Sequence, residues 1–464
     1  MSALILLRVR RHALAPASLL LALLAFGSCA TYPATTAPID AALAEPLAQD
    51  IATQSTEPPP PAPPSSRIRG YENSSDFLGP SATEAQLETD AKEKESVFRF
   101  DSLKRQLKPY FDWKSRLAED HGFTIGADYT AAIFDASAGP GETTAAGAVF
   151  RLFGAWKLLE REEAANGGSL VWKVENRHAL GTDATPSNLG FQIGYAGLIG
   201  PIYSDPRWQL TNLYWKQSWS EGQTNVVAGI VDSTDYLNIY ALINPWTAFS
   251  NLTFLFDATI PGPNQGLGAA FGTMLSDTTY LVGGITDANG DPTRPEDMLS
   301  SFFDEAEFFT HVELGLVDSF DRRYFDNTHV TLWHADEREQ ASTADGWGAA
   351  FSFTRFVDDR WMPFLRAGYA KDGGSVLETS LAAGLGYYRA NSRDLFGLGL
   401  AVGQPNESTF APDLEEQYTA ELFYRIQLSE AFAVTPDVQF IVNPALNQDE
   451  DQIVVLGLRG RLAL

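Results

Sequence analysis

Charged side chains recur at every second residue along parts of this chain, and they are the first candidates for chemistry. Lys173, Glu175 and Arg177 form the clearest set. Because side chains in a β-strand alternate between two faces, all three would lie on one face. Charges of both signs can exchange hydrogen bonds with hydroxyl groups as water does. The alternative is that these charges only keep a water-facing wall hydrated and bind no solute. Further candidates of the same kind are Lys216, Glu313, Arg425 and Arg459.

Motifs for bond-making chemistry are missing from the sequence. It contains no Gly-x-Ser-x-Gly elbow, no His-Glu-x-x-His and no phosphate-binding glycine loop. Residues 287–291 begin like a calcium loop, but Met298 stands where the bidentate Glu is required, which favours a turn. A hydrolase would need a Ser-His pair that the sequence does not identify. We therefore expect no catalytic residue, metal or cofactor. The histidines that follow residue 29, none at a metal-ligand spacing, are His121, His178, His311, His329 and His334.

The last stretch, residues 451–464, shows the element that would position such charges. Apolar residues such as Leu456, Leu458 and Leu462 alternate with Gly457, Arg459 and Arg461. One face of this strand is apolar and the other is charged, so it needs two different surroundings. A water-soluble sandwich would bury the apolar face, whereas a membrane barrel has lipid outside and a wet lumen inside.

Sixteen segments share period-two alternation or a β-rich composition. The number is even, as in bacterial outer-membrane barrels. The predicted strands are residues 123–134, 144–159, 168–180, 209–219, 224–232, 265–275, 278–287, 307–317, 327–335, 344–355, 360–370, 377–387, 394–403, 415–429, 431–441 and 451–464.

The connections between these segments alternate in length, as expected when one rim of a barrel has tight turns and the other has long loops. Residues 220–223, 276–277, 356–359, 388–393 and 430 are tight joins; 181–208, 233–264, 288–306, 404–414 and 442–450 are long ones. Two joins depart from the rule, 318–326 and 370–376. We predict an all-β fold, a transmembrane antiparallel β-barrel of sixteen strands over residues 122–464, with a short N-terminal helical or disordered extension.

Residues 1–29 read as a signal peptide, with a basic start, an apolar core and a small-residue exit. Cys29 is the only cysteine and stands where a lipoprotein would carry its lipid; cleavage after Ala30 is the alternative. No later run reaches the roughly 18 to 20 apolar residues that a spanning helix needs, so a membrane location requires a closed barrel.

Between the signal and the barrel, two segments differ from the rest. Residues 30–80 form a Pro-rich spacer with few large apolar residues, which predicts disorder. Residues 81–121 are predicted to form a periplasmic helical segment, with a capping box at Ser81 to Glu84 and a second helix that Gly122 ends. This extension is a candidate site for a periplasmic partner.

The negative net charge of the chain limits the kinds of partner that it can bind. Removal of residues 1–29 takes away three arginines and no acids, so the net charge changes from −26 to −29. Such a charge argues against nucleic acid as a partner.

Several motifs resemble the carbohydrate-selective porin (OprB) family, from about Pro109 to the end of the chain. Two features depart from its pattern: Lys114-Ser115 replace a glycine pair, and Leu464 replaces a terminal aromatic residue. The motifs are Asp112-Trp113 with Arg116-Leu117 and Gly122, residues 287–292, Thr435 to Gln439, Asn443 to Ala445, and Gly457 to Arg461.

The resemblance implies a sixteen-stranded porin in the outer membrane of a Gram-negative-type bacterium. It would contact outer-membrane lipid and let sugars and small hydrophilic solutes diffuse passively; whether barrels form a homotrimer is left open.

Loop 233–264 stands where porins fold a loop inward, and its Tyr236, Tyr240 and Trp246 could stack on sugar rings. An outer loop packed on its own apolar residues is the alternative. The alternative function is a structural barrel that tethers the outer membrane to a periplasmic partner.

Overall fold

The computed structural model describes residues 76–92, 95–98, 100–159, 166–389 and 393–464. The predicted signal peptide, Cys29 and nearly all of the Pro-rich spacer lie outside these residues.

Sixteen antiparallel strands form one closed barrel in which each strand pairs with its neighbours in the sequence. The first and last strands close it, with Tyr129 opposite Leu462 and Ile133 opposite Leu458. The predicted fold class is confirmed, and the observed strands begin and end within two residues of the predicted bounds. They are β1 Phe123–Ala136, β2 Thr144–Leu159, β3 Gly167–Ala179, β4 Arg207–Trp219, β5 Thr224–Val231, β6 Gly266–Ser276, β7 Thr279–Asp287, β8 Phe308–Val317, β9 Asn327–Ala335, β10 Gly346–Thr354, β11 Trp361–Asp372, β12 Leu377–Tyr388, β13 Leu395–Pro405, β14 Gln417–Gln427, β15 Phe432–Val442 and β16 Gln452–Ala463.

The barrel wall has an apolar outer face and a polar inner face. In β16, Leu456 and Leu458 are 57% and 49% exposed, whereas Arg459 and Arg461 are 2% and 5% exposed. The same alternation runs through β8, where Val312, Leu314 and Leu316 point outward. Period two therefore places the charges of the sequence in the lumen.

Tight turns lie at one rim, which we call the short-turn rim, and the longer connections lie at the other, the long-loop rim. Residues such as Asp358 and Asp359, with φ of 53° and 50°, adopt the left-handed conformation that hairpin turns need. The connection between β8 and β9, residues 318–326, is long for the short-turn rim. Its Arg323 and Tyr324 side chains reach into the lumen, where they contact Leu78.

Among the described residues, five α-helical segments accompany the barrel: α1 Thr83–Ala91, α2 Asp101–His121, α3 Pro186–Gln192, α4 Leu252–Leu255 and α5 Met298–Ser300. Within the described part of the chain, no helix has the length and apolar character to cross a bilayer.

The helices of the N-terminal extension differ from the sequence prediction in two ways. The capping box does not form, since Ala82 is the N-cap of α1 and no side chain caps the helix. The second helix, predicted over residues 109–122, is longer than predicted: α2 begins at Asp101 and includes Pro109. Gly122 ends α2 as predicted, with φ of 65° and its N–H donated to Ala118 O.

Two chain segments fill the lumen. The connection between β5 and β6, residues 232–265, folds into the barrel, and we call it the infolded loop. Residues 76–91, which include α1, lie beside it with Phe77, Leu78 and Ala82 buried. α1 is thus inside the barrel, whereas the sequence placed it outside, in the periplasm.

Candidate channel lumen

Wall side chains from both sides of the barrel hold the infolded loop. Glu313 on β8 accepts a hydrogen bond from Asn238 N at 2.8 Å. Glu421 on β14 accepts from Ser250 N at 2.6 Å and from Asn251 N at 2.9 Å. Because the loop bonds to strands far apart around the barrel, it spans the lumen instead of covering the rim. The infolded loop is therefore not an outer loop that packs only on its own apolar residues.

Arg459 makes the densest of these connections. Its guanidinium on β16 donates to Pro245 O at 2.7 Å, to Phe249 O at 3.4 Å and to Ala248 O. Carbonyl oxygens without helix or strand partners need such donors when they are buried. The side chain therefore anchors the middle of the infolded loop to the wall.

An apolar core forms where the infolded loop meets the opposite wall. The Phe249 ring lies 4.9 Å from the Phe423 ring and 5.1 Å from the Phe254 ring, measured between centroids. Tyr240 is fully buried, lies under the Arg366 guanidinium at 4.6 Å, and donates its hydroxyl to Phe254 O. This core closes the part of the lumen around β11 to β14 to solutes.

A cavity of about 960 Å³, which we call the vestibule, remains on the long-loop side of the infolded loop. β3, the infolded loop and the loops after β7 and β9 contribute to its wall. Lys173, Glu175 and Arg177, which share one face of β3, all line it. A volume of this size suits a small solute with some of its water.

Charges in the vestibule are paired across short distances. Arg177 binds Glu175, with Nε to Oε2 at 2.8 Å. Lys173 Nζ lies 3.9 Å from Asp235 Oδ2, and Arg294 Nε lies 2.9 Å from Asp291 Oδ2. These pairs leave further donor and acceptor positions on each group, so they can bond hydroxyl groups without releasing each other.

Asp235 lies in the infolded loop, outside the strands. Burial raises the pKa of its carboxyl to about 6, although Lys173 opposes the shift; the nearby Asp232 adds to it. Its charge is therefore sensitive to mild acidification, unlike that of an ordinary aspartate.

The other candidate wall residues lie on the lumen face but away from the vestibule. Lys216 binds Asp76 at 2.8 Å and also binds Glu84. Glu313 accepts from Tyr280 Oη at 2.7 Å in addition to Asn238 N. Arg425 donates to Arg393 O at 2.9 Å, and Arg459 holds the infolded loop. Their predicted contact with a solute stays a prediction.

The three predicted aromatic residues of the infolded loop have different surroundings. Trp246 lines the vestibule and stacks on Arg151, whose Cζ lies 3.7 Å from the ring centroid. Tyr236 packs beside His311, and Tyr240 lies in the apolar core. Trp246 is thus the one of the three placed to meet a solute in the vestibule.

Some charged residues of the vestibule escaped the sequence analysis. Asp235, Arg294 and Arg338 lie in loops, where no alternation reveals the side that a residue faces. Arg151 follows the lumen alternation of β2 and could have been found that way. It binds Asp128, so the stacked Trp246 rests on a buried ion pair.

Within the described ranges, no three His, Cys, Asp or Glu side chains are arranged to hold a metal ion. Asp287, at the start of the calcium-like stretch, accepts from Asn289 N at 2.9 Å, which is the geometry of a local turn.

Comparison with known proteins finds a family model that matches the C-terminal part of the chain. Residues 316–464 match the model of the carbohydrate-selective porin, OprB family. The matched residues run from the end of β8 to the end of the chain. The resemblance drawn from the sequence motifs is thereby confirmed, and the family and fold indicate a channel and not an enzyme. No curated protein matched the chain significantly.

Solved structures show the same fold. The high-pH structure of Pseudomonas putida OprB has a TM-score of 0.62 at 15% sequence identity, over 76% of this chain and 97% of that chain. Its low-pH structure has a TM-score of 0.45 at 12% identity, over 76% of this chain and 96% of that chain. At these identities the first likeness supports the fold alone, and the second supports no conclusion.

Proposed function

We propose that this porin resides in the outer membrane and lets sugars and other small hydrophilic solutes diffuse passively, with a preference for carbohydrates. The vestibule carries the proposal. It combines the flat face of Trp246 with the paired charges of Lys173, Asp235, Glu175 and Arg177 in one cavity. An aromatic face suits the apolar face of a sugar ring, and the charges suit its hydroxyls.

The route needs no bond to be made or broken. Selectivity comes from the width of the lumen and from the groups that line it. The infolded loop narrows the barrel, and its anchors Glu421 and Arg459 hold it in place. A solute that enters from the long-loop side, which we assign to the exterior, exchanges water for the paired charges of the vestibule.

Purified protein in liposomes tests the proposal by the rate of swelling in iso-osmotic sugar. We expect swelling faster than that of empty liposomes, and faster for a sugar than for an uncharged polyol of similar size. Trp246→Ala should reduce the preference for the sugar. A matched control is Trp347→Ala, because Trp347 is exposed on the outer face. Equal rates for sugar and polyol would contradict the preference, and no swelling would contradict the transport.

A further inference from the structure

Residues 76–91 carry four acids, Asp76, Glu84, Glu88 and Asp90, and no basic residue. They lie in the part of the lumen next to the short-turn rim, where the wall presents Lys216, Arg323 and Arg461. We propose that this part of the lumen is a binding site for an acidic peptide, and that the chain's own residues 76–91, the plug, occupy it and restrict the channel. The inference rests on the proposed function, since it assigns a regulator to that channel.

The ion pairs at the two ends of the plug join it to separate parts of the wall. Asp76 binds Lys216 on β4 at 2.8 Å, and Glu84 binds the same ammonium. Asp90 binds Arg461 on β16 through two bonds, of 2.6 Å and 3.0 Å. β4 and β16 are four strands apart around the closed barrel, and Arg323 of the turn between β8 and β9, eight strands from β16, also binds Asp76 O, so the plug crosses the lumen.

Phe77 is the apolar anchor of the plug. The Arg323 guanidinium lies over its ring at 4.6 Å, and the Tyr280 ring lies 5.9 Å away. Its backbone N–H donates to Asn225 Oδ1 at 3.0 Å. A β-carbon on Gly272 would overlap the Phe77 side chain, so the wall has a recess that fits this ring closely.

The plug also contacts the infolded loop. Gly79 N donates to Asp235 O at 2.6 Å, and Asn244 Nδ2 donates to Pro80 O at 2.9 Å. Ser81 lines the vestibule. A solute that leaves the vestibule toward the short-turn rim therefore meets the plug, so the plug lies on the route of diffusion.

The recognition is chemically specific to an acidic peptide. Lys216 binds two carboxylates of the plug, those of Asp76 and Glu84. Arg323 donates to Asp76 O at 2.7 Å and to Leu78 O at 3.3 Å, so it binds the backbone carbonyl groups of a non-helical segment. An occupant with carboxylates compensates the charge of Lys216 and adds a second carboxylate to Arg461, which also pairs with Asp128 of the wall.

Charge reversal in the full chain tests the plug. Lys216→Glu should repel Asp76 and Glu84 and raise the single-channel conductance and the sugar flux several-fold. Adding Asp76→Lys and Glu84→Lys to that variant should restore the original conductance, because the pairs re-form with exchanged signs. Lys108→Glu is the matched control, since Lys108 is exposed on α2 and binds Asp112 on the same helix. An unchanged conductance for Lys216→Glu, in barrels that migrate as folded on gels, would overturn the plug.

A peptide added from outside tests the site itself. A variant that lacks residues 76–91 should conduct more than the full chain, and a synthetic peptide of residues 76–91 should reduce its current saturably from one side of the bilayer. The same peptide with Asp76→Asn, Glu84→Gln and Asp90→Asn should have no effect. Equal block by both peptides would show a nonspecific effect and refute an acidic-peptide site.

The outcomes separate this inference from the proposed function. If Lys216→Glu raises ion conductance and no variant passes sugar, the sugar function fails and the plug stands. If the full chain and Lys216→Glu pass sugar at the same rate, the sugar function stands and the plug fails.

Discussion

Single side chains set the position of the infolded loop, and Arg459 is the clearest case. Its planar guanidinium reaches two or three carbonyl oxygens at once, which the single ammonium of a lysine cannot do with the same geometry. The arginine that the sequence marked as a pore-wall residue therefore has a demonstrated structural contact, and its contact with a solute stays a prediction.

Replacing Arg459 by methionine should loosen the loop. The substitution leaves the Pro245 and Ala248 carbonyl oxygens without this donor, and each buried orphan acceptor costs about 1–3 kcal/mol. We expect a lower temperature for the folded-to-unfolded band shift on gels and a noisier single-channel current. Arg355→Met is the matched control, because the Arg355 side chain donates to the carbonyl oxygen of the adjacent Thr354 and does not hold the infolded loop through that bond. Equal shifts in both variants would show that the loop does not depend on Arg459.

Asp235 predicts a dependence on pH. Burial raises the pKa of its carboxyl from 3.8 to about 6, so it is charged at pH 7 and neutral at pH 5. Its neutralisation leaves the Lys173 ammonium without a counter-charge 3.9 Å away. Cation selectivity, measured by reversal potential, should therefore fall as pH drops through about 6, and Asp235→Asn should abolish the step.

The same shift bears on stability, with a definite sign. Because the folded-state pKa lies above the unfolded value, the contribution of this group is fully present below the unfolded pKa and is lost as pH rises through about 6. Asp235→Asn should therefore melt at the same temperature as the original protein below pH 3.8, and increasingly above it as pH rises to about 6 and beyond. A pH-independent difference between the two would contradict the assignment of the titration to Asp235.

At the scale of elements, β13 and the infolded loop approach more closely than side chains normally allow. A β-carbon on Gly399 would lie 2.6 Å from Phe254 Cδ1. Gly399→Ala should therefore displace Phe254 and destabilise the barrel by about 1–3 kcal/mol. Gly460→Ala is the control, since a β-carbon there meets Phe432 at an ordinary 3.5 Å. The midpoint of urea unfolding measures both, and a stable Gly399→Ala would show that the loop yields easily.

The sequence predicts the strands and not the lumen contents, for a physical reason. Period two and turn chemistry are local, so β16 and its two faces follow from residues 451–464 alone. The position of α1 depends on contacts between residues far apart, such as Asp76 with Lys216 and Asp90 with Arg461. A charged segment with sparse apolar residues reads as a solvated helix until the charges that bind it are known to line a lumen.

The residues of the vestibule likewise divide into those on strands, which the sequence predicts, and those in loops, which it does not. Lys173, Glu175 and Arg177 lie on a strand, and their alternation was enough to place them in the wall. Tyr240 and Trp246 lie in a loop without periodicity, so the sequence could not tell that the first is enclosed and the second lines the cavity. The long turn 318–326 looked like an exception to the loop rule, and its length has a reason, because Arg323 and Tyr324 use it to reach the plug.

At the scale of the whole molecule, the barrel wall does not depend on the plug for its hydrogen bonds. All strand pairs lie within residues 123–463, and the ring closes through β1 and β16. The plug contributes buried ion pairs instead. When it is absent, water can fill the lumen and solvate Lys216, and Arg461 keeps its pair with Asp128 at 2.7 Å.

A mature chain that begins at residue 101 should therefore assemble into a folded, heat-modifiable barrel of full β content. Its unfolding temperature on gels should be lower, because the Phe77 recess and the Asp90 pair are lost while the wall pairs remain. The addition of Gly272→Phe to this short chain should recover part of the loss, since a side chain there fills the recess that Phe77 leaves. A short chain that fails to form the folded band would show that residues before 101 are needed for barrel assembly, contrary to a wall that is complete in its own hydrogen bonds.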